Sequence, residues 1–163
     1  MPVLPAESPT ESLTAARTRA QLYLDEGKIE TSEKYLDLAH LILKELPSGY
    51  PYPTEELWAQ YYEGMGNYYL HTAQARLAYE AFTQAQEFAV EHVGWTNHIT
   101  NLIARCLLTL GDFEQTLTLL SSFPEDNNAE FSLHSVERNL IRAECHWRIG
   151  NSEQAKKNLE NEI

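Results

Sequence analysis

The sequence lacks the features that would cross-link the chain by disulfides or anchor it in a membrane. Its two cysteines, Cys106 and Cys145, have no CxxC spacing, so a disulfide framework is not indicated and we expect buried free thiols. No run of about 18 apolar residues is present, which disfavours a membrane span. The start, with Pro2 and Pro5, does not resemble a signal peptide. We therefore expect a cytoplasmic protein without a membrane partner.

Basic residues are scarce. Lys and Arg number 12 against 24 Asp and Glu, which gives a formal net charge of -12. Such a surface repels phosphate backbones and anionic membranes, so we expect no direct nucleic-acid binding. A basic protein or peptide is the compatible partner. The alternative is that the charge mainly keeps the protein in solution.

No catalytic or metal-binding constellation can be assembled from the six histidines. None belongs to an HExxH motif, and His92 and His98 lack the third and fourth ligands of a zinc site. Cys145 and His146 are adjacent, so on a helix they face different directions. The phosphate-binding motifs GxGxxG and GxxxxGK[ST] are absent. We therefore predict no catalytic residue, no metal and no cofactor, and we do not expect an enzyme.

Alternating β-branched runs are also missing, so no strand is predicted. Residues 1–8 are expected to form a flexible tail. Ser8, Pro9 and Glu11 then have the pattern of a helix start, with a capping box and a proline at the first helical position. Glycine and proline breaks divide the remaining chain, 9–163, into about eight helices. The predicted spans are 9–26, 28–46, 54–71, 74–92, 95–110, 112–123, 130–149 and 151–163, with Gly94 as the break before the fifth.

A pattern of small, large and turn residues recurs four times with the same internal spacing, and the copies begin 46, 38 and 39 residues apart. The copies are Ala20, Tyr23, Gly27, Ser32, Leu36 and Ala39; Gly66, Tyr69, Ala73, Ala78, Phe82 and Ala85; Ala104, Leu107, Gly111, Thr116, Leu120 and Phe123; and Ala143, His146, Gly150, Ala155, Leu159 and Glu162. Small residues let two antiparallel helices approach closely, and we expect Gly66 and Ala78 to face each other. Hairpins of this kind stack, because one hairpin cannot bury its apolar faces alone.

The pattern resembles tetratricopeptide repeats over about residues 10–163. The second copy carries the resemblance best, with Tyr62, Met65, Gly66, Tyr69, Ala78, Phe82 and Ala85 at the family's signature positions. The copies are longer than the usual repeat of about 34 residues. Ala16, Tyr62, Thr100 and Asn139 replace the Trp found early in the family's repeat. Long, degenerate copies look like those of bacterial regulators. The resemblance implies an all-α fold whose antiparallel hairpins stack as a right-handed α-solenoid.

The resemblance also implies a binding site, because the first helix of each hairpin in this family lines a concave groove. The corresponding residues are Arg17, Gln21, Leu24, Glu63, Asn67, Leu70, Asn101, Arg105, Leu108, Leu140, Glu144 and Trp147. Mixed amides, charges and leucines suit an extended or helical peptide, and an ordinary solvated face is the alternative. Glu63 stands where chaperone-binding members have Lys, which disfavours recognition of a C-terminal carboxylate.

These inferences together predict a protein-protein interaction module, such as the sensor or scaffold part of a bacterial regulator. The alternative is a small acidic chaperone of the same repeat class for a secreted protein. The fourth hairpin adds one further expectation. Its first helix carries more apolar residues, Leu140, Ile141, Trp147 and Ile149 among them, than its short second helix covers. We therefore expect this hairpin to pack against a second copy, as a homodimer, or against another domain.

Overall fold

A computed structural model of the chain describes residues 8–50, 54–88, 93–123 and 133–160. Within these ranges the protein has eight α-helices and no strand, which confirms the prediction of an all-helical fold. The helices are α1 (Pro9–Asp25), α2 (Ile29–Lys44), α3 (Thr54–His71), α4 (Ala75–Phe88), α5 (Val93–Leu110), α6 (Phe113–Ser121), α7 (Leu133–Arg148) and α8 (Ser152–Glu160). The expected tail lies outside the described residues except for Ser8, as do the predicted helix ends at 89–92, 130–132 and 161–163.

The helix starts follow from local sequence chemistry. The Ser8 hydroxyl accepts a hydrogen bond from the Glu11 amide at 3.3 Å, and the Glu11 carboxylate accepts one from the Ser8 amide at 3.0 Å. This capping box begins α1 as predicted. The prediction that Gly94 breaks the chain before the fifth helix is wrong, because α5 begins at Val93 and includes Gly94. A glycine disturbs a helix little in the first turn, where the backbone amides have no intrahelical partner anyway.

The turns inside the four hairpins share the same backbone conformation. The four turn residues have positive φ angles: 74° at Gly27, 58° at Ala73, 79° at Gly111 and 86° at Gly150. In each turn the following residue donates its amide to the carbonyl five residues earlier, at 2.8 Å from Lys28 to Tyr23, 2.8 Å from Gln74 to Tyr69, 2.9 Å from Asp112 to Leu107 and 2.7 Å from Asn151 to His146. This is the Schellman arrangement that ends a helix at a left-handed residue. The fixed spacing of the sequence repeat thus corresponds to a repeated turn.

The small residues of the repeat are buried where the two helices of each hairpin meet. Ser32 and Ala20 show the contact, because the Ser32 hydroxyl donates to the Ala20 carbonyl at 2.8 Å. For Gly66 the nearest side chain is that of Phe82, and the expected approach of Gly66 to Ala78 stays a prediction. The nearest atoms to a Cβ built on Gly66 all belong to the ring of Phe82, one turn beyond the buried Ala78. The ring therefore occupies the space that the missing side chain leaves.

The chain forms two compact units, Met1–Glu91 and His92–Ile163, each with two hairpins. In the first unit α3 packs on both α1 and α2, and α4 packs on α3. In the second unit α5, α6 and α7 pack on one another, and α8 packs on α7. Both cysteines are free and buried in the second unit, as expected. No helix in the described part of the chain is long and apolar enough to cross a membrane.

Candidate protein-binding site

Five of the residues predicted to line a groove lie around one cavity in the first unit. The cavity has a volume of about 320 Å³ and is bounded by α1, α2 and α3. We call it the α1–α3 pocket. Its lining residues are Arg17, Thr18, Ala20, Gln21, Leu24, Ser32, Leu36, Glu63, Gly64 and Asn67. Groove positions that the family resemblance implies in two different hairpins therefore surround one cavity.

Hydrogen bonds between α1 and α3 form the polar wall of this pocket. Arg17 donates from Nη1 to Gln60 Oε1 at 2.6 Å, and Asn67 donates from Nδ2 to Gln21 Oε1 at 3.5 Å. Gln21 in turn donates to Asp25 Oδ1 at 2.8 Å. These bonds hold the side chains in fixed positions along one side of the cavity.

The Arg17 guanidinium is partly desolvated. Its Nε is buried and has no hydrogen-bond acceptor. Burial lowers the pKa of Arg17, and the nearby Glu63 carboxylate raises it in partial compensation. The pocket therefore presents a cation and an anion side by side. A ligand that carries both a hydrogen-bond acceptor and a donor suits this wall better than a simple anion does.

The floor of the pocket is apolar and is left open by a glycine. Ala20, Leu24 and Leu36 are buried side chains of α1 and α2. A Cβ on Gly64 would lie 3.3 Å from Leu36 Cδ2, so any side chain at this position of α3 would enter the floor. Leu24 thus contributes to the floor and the core together. The glycine therefore lets α3 lie close to Leu36 with no side chain projecting into the floor.

The predicted groove residues of the second unit have different environments. Asn101 is fully buried and donates from Nδ2 to the His134 carbonyl and to Glu137 Oε2, both at 3.1 Å. Leu108 packs against the core cluster of the second unit. Arg105 is more exposed and forms an ion pair with Glu137 Oε1 at 3.5 Å. Asn101 and Leu108 therefore lie in or against the core of the second unit, and Arg105 remains at the surface.

The other predicted residues lie closer to solvent. Leu70 is half-buried near the end of α3. Glu144 is exposed and accepts a bond from Arg148 Nη2 at 3.0 Å, one turn along α7. Trp147 and Leu140 are among the most exposed large apolar side chains of the second unit.

Two residues that the sequence prediction missed, Gln60 and Glu137, make equivalent contacts in the two units. Gln60 binds Arg17 and Glu137 binds Asn101. Arg17 and Asn101 each precede the first small residue of their repeat copy by three positions, and Gln60 and Glu137 each precede theirs by six. A rule looking one turn before the groove positions would have found both.

The two cysteines are poorly suited to act as nucleophiles. Burial raises the pKa of the Cys106 thiol to about 11 and raises that of Cys145 as well, although a hydrogen bond between the side chains of Cys145 and Thr116 acts in the opposite direction. Protonated thiols are poor nucleophiles at neutral pH. Within the described ranges, no three His, Cys, Asp or Glu side chains gather where a metal ion could bind.

No family model, curated protein or solved structure matches this chain.

Proposed function

We propose that this chain is a protein-binding module of the tetratricopeptide-like class, with its hairpins arranged as a right-handed α-solenoid. Its α1–α3 pocket holds one residue of a peptide or protein partner. One observation carries the proposal: the family resemblance implies Arg17, Gln21, Leu24, Glu63 and Asn67 as groove residues, and all five line one cavity of about 320 Å³.

The chemistry of the pocket supports a peptide as the ligand. A backbone amide carries one donor and one acceptor, and the wall offers acceptors at Glu63 and Gln21 beside donors at Arg17 and Asn67. An apolar side chain of the same peptide fits over the floor around Leu36. The combination of main-chain bonds and side-chain pockets is the usual basis of peptide recognition.

The charge of the first unit favours a basic partner. Residues 1–91 contain 14 acidic and 6 basic residues, so their field attracts a peptide rich in Lys or Arg. Glu63 in the wall opposes a ligand carboxylate, which argues against recognition of a free C-terminus. The favoured ligand is therefore an internal segment of a basic polypeptide.

The biological role that we propose is the sensor or scaffold part of a bacterial regulator, acting in the cytoplasm. The alternative is a small acidic chaperone for a secreted protein. The identity of the bound polypeptide separates the two roles, because a regulator contacts a DNA-binding protein and a chaperone holds a client destined for export.

Site-specific photo-crosslinking in the source cell tests the proposal. Thr18 lines the pocket and is exposed, so a photoreactive residue can replace it. Leu41, which is exposed on α2 and lies outside the pocket lining, is the matched control position. We expect one polypeptide to be crosslinked at Thr18 and not at Leu41. The same set of adducts at both positions, or none at Thr18, would contradict the assignment of the pocket.

Self-association through the C-terminal hairpin is a second mode of protein binding that we propose. The observation that favours it is the exposure of Leu140, Trp147 and Ile149, which lie on or beside α7. Apolar side chains grouped in this way are typical of association surfaces.

A further inference from the structure

The orientation of the Asn67 side chain in the α1–α3 pocket is set by a relay of hydrogen bonds. The Asp25 carboxylate can only accept, so the bond of 2.8 Å from Gln21 fixes the amide nitrogen of Gln21 on the side of Asp25. Gln21 therefore presents its carbonyl oxygen to Asn67, which donates to it from Nδ2 at 3.5 Å. The carbonyl oxygen of Asn67, Oδ1, takes no part in this relay.

Asn67 has hydrogen-bonding capacity that the described residues leave unused. Its Oδ1 accepts from none of them, and Nδ2 has a second hydrogen beyond the one that it donates to Gln21. Asn67 is half-buried and lines the pocket, so water or a ligand supplies the missing partners. A ligand that displaces water from Asn67 keeps the hydrogen bonding intact only if it carries a donor for Oδ1.

Arg17 adds a hydrogen-bond donor to the same wall. Its Nη1 donates to Gln60 at 2.6 Å, whereas its Nη2 donates to no residue that the structure describes. Nε is buried, which leaves Nη2 as the nitrogen of Arg17 that can serve a ligand. The Glu63 carboxylate lines the pocket as well and balances the charge of Arg17. The wall therefore combines a donor and an acceptor without favouring a ligand of either charge.

We propose that the α1–α3 pocket holds the side chain of a glutamine of the partner polypeptide. This inference rests on the proposed function and names the residue that the pocket selects. The glutamine carboxamide is neutral, its N–H group donates to Asn67 Oδ1, and its carbonyl oxygen accepts from Arg17 Nη2. Its methylene groups lie over the apolar floor around Leu24 and Leu36.

The shape and charge of the cavity favour this residue over others. A main-chain amide offers the same donor and acceptor, but in a cavity bounded by three helices it would draw the chain on both of its sides inward. A side chain enters by its end and leaves the partner's backbone at the surface. Glutamate would place a carboxylate beside Glu63, and lysine would place an ammonium beside Arg17, so like charges disfavour both.

Nuclear magnetic resonance titration of the isotope-labelled full chain tests the choice of residue. The probes are glutamine, glutamate and methionine, each blocked as the N-acetyl methylamide, so that only the side chain differs among them. We expect blocked glutamine to shift the Asn67 side-chain amide signals with a dissociation constant on the order of 1 mM. Blocked glutamate and methionine should bind about tenfold or more weakly, because they leave Asn67 Oδ1 without a donor.

Two results of this titration would overturn the proposal. Equal binding of the three probes would show that the pocket recognises the main-chain amides that they share. The absence of any shift with blocked glutamine at ten times the expected dissociation constant would show that the pocket does not take this side chain.

A matched pair of variants tests the role of Asn67. Asn67→Leu keeps the size of the side chain but removes its donors and its acceptor, and it also assigns the Asn67 signals. Gln74→Leu is the control, because the Gln74 amide lies outside the pocket lining and donates to Thr72 at 2.8 Å. Backbone amide signals of α1 and α3 follow binding in both variants. We expect about tenfold or greater weakening for Asn67→Leu and wild-type binding for Gln74→Leu. Wild-type binding by Asn67→Leu would contradict the proposed contact.

Free glutamine separates a polypeptide ligand from a small metabolite. Its ammonium and carboxylate groups replace the flanking amides of the blocked probe, and we expect it to bind more weakly. Tighter binding of free glutamine would show that the ligand is the amino acid itself and would overturn the proposal. Crosslinking at Thr18 reports on the polypeptide partner separately. A polypeptide crosslinked at Thr18 together with no preference for blocked glutamine would remove this inference and leave the proposed function in place.

Discussion

The ring of Phe82 lies directly against the backbone of Gly66. A Cβ built on Gly66 would come within 2.6 Å of the Cδ1 and Cζ atoms of that ring. Both residues are buried, Gly66 in α3 and Phe82 in α4. The close approach of the two helices in the second hairpin therefore depends on the absence of a side chain at position 66.

Gly66→Ala should lower the free energy of unfolding by about 1–3 kcal/mol, because the ring or the helix must shift to admit the methyl group. Gly64→Ala is the matched control two residues earlier. Its Cβ would meet only the flexible end of Leu36 at 3.3 Å, and alanine favours the helix by up to about 1 kcal/mol. Urea denaturation of the two variants checks this. Equal effects of the two changes would show that the packing at Gly66 is not the decisive contact.

Ala73→Gly should stabilise the protein by roughly 0.5–1 kcal/mol. Ala73 is the only non-glycine residue with a positive φ in the described ranges, and its Cβ makes the left-handed conformation unfavourable. Gly111→Ala creates the same strain at the equivalent turn and should destabilise by about 1 kcal/mol. Thermal melting of both variants shows whether each change raises or lowers the melting temperature. Melting temperatures that shift in the same direction would contradict the shared turn geometry.

Stability should fall at alkaline pH, partly through Tyr61. Burial raises the pKa of Tyr61 from 10.0 to about 12. Between these values the unfolded chain loses its proton more readily than the folded protein, so stability is lost as pH rises from 10 to 12. Tyr61→Phe removes the titrating group and should flatten the pH dependence in this window. Urea denaturation at several pH values gives the change of the free energy of unfolding with pH for the wild type and for Tyr61→Phe. The same pH dependence in both proteins would contradict the assignment to Tyr61.

The two thiols should react with a thiol reagent only when the second unit opens. Cys106 is fully buried and its pKa is raised to about 11, so little thiolate forms at pH 8. We expect both cysteines to be labelled slowly in the native protein and rapidly in denaturant. Rapid labelling of Cys106 in the native state would show that α5 is less protected than its packing indicates.

The sequence predicts the helices and turns of this protein well because one spacing rule governs all of them. Every observed helix start lies within three residues of its predicted position. Arg17 and Asn67, which the family resemblance implies as groove residues, line one pocket. Side-chain direction is harder to predict, because the repeat does not show that the ring of Phe82 lies against Gly66. Gln60 and Glu137 were missed because the repeat pattern marks small and large residues, whereas these two polar residues lie one turn before the groove positions.

Residues at equivalent positions of the repeat also differ in their exposure to solvent. Leu24 and Trp147 share one repeat position, but the former is buried and the latter is open to solvent. A position in the repeat predicts which side of a helix a residue occupies. What covers that side depends on the neighbouring hairpin, and this relation is visible only in the folded structure.

The most direct measurement of the central claim is the affinity of a peptide for the α1–α3 pocket. A synthetic peptide with the sequence of the segment crosslinked at Thr18 is titrated into the wild type and into Gly64→Met. A flexible Met side chain should fill the pocket without unfolding the helices. We predict binding by the wild type and about tenfold or greater weakening by Gly64→Met, with a similar melting temperature for both proteins. Equal dissociation constants for the two proteins would contradict the claim that this pocket binds the partner.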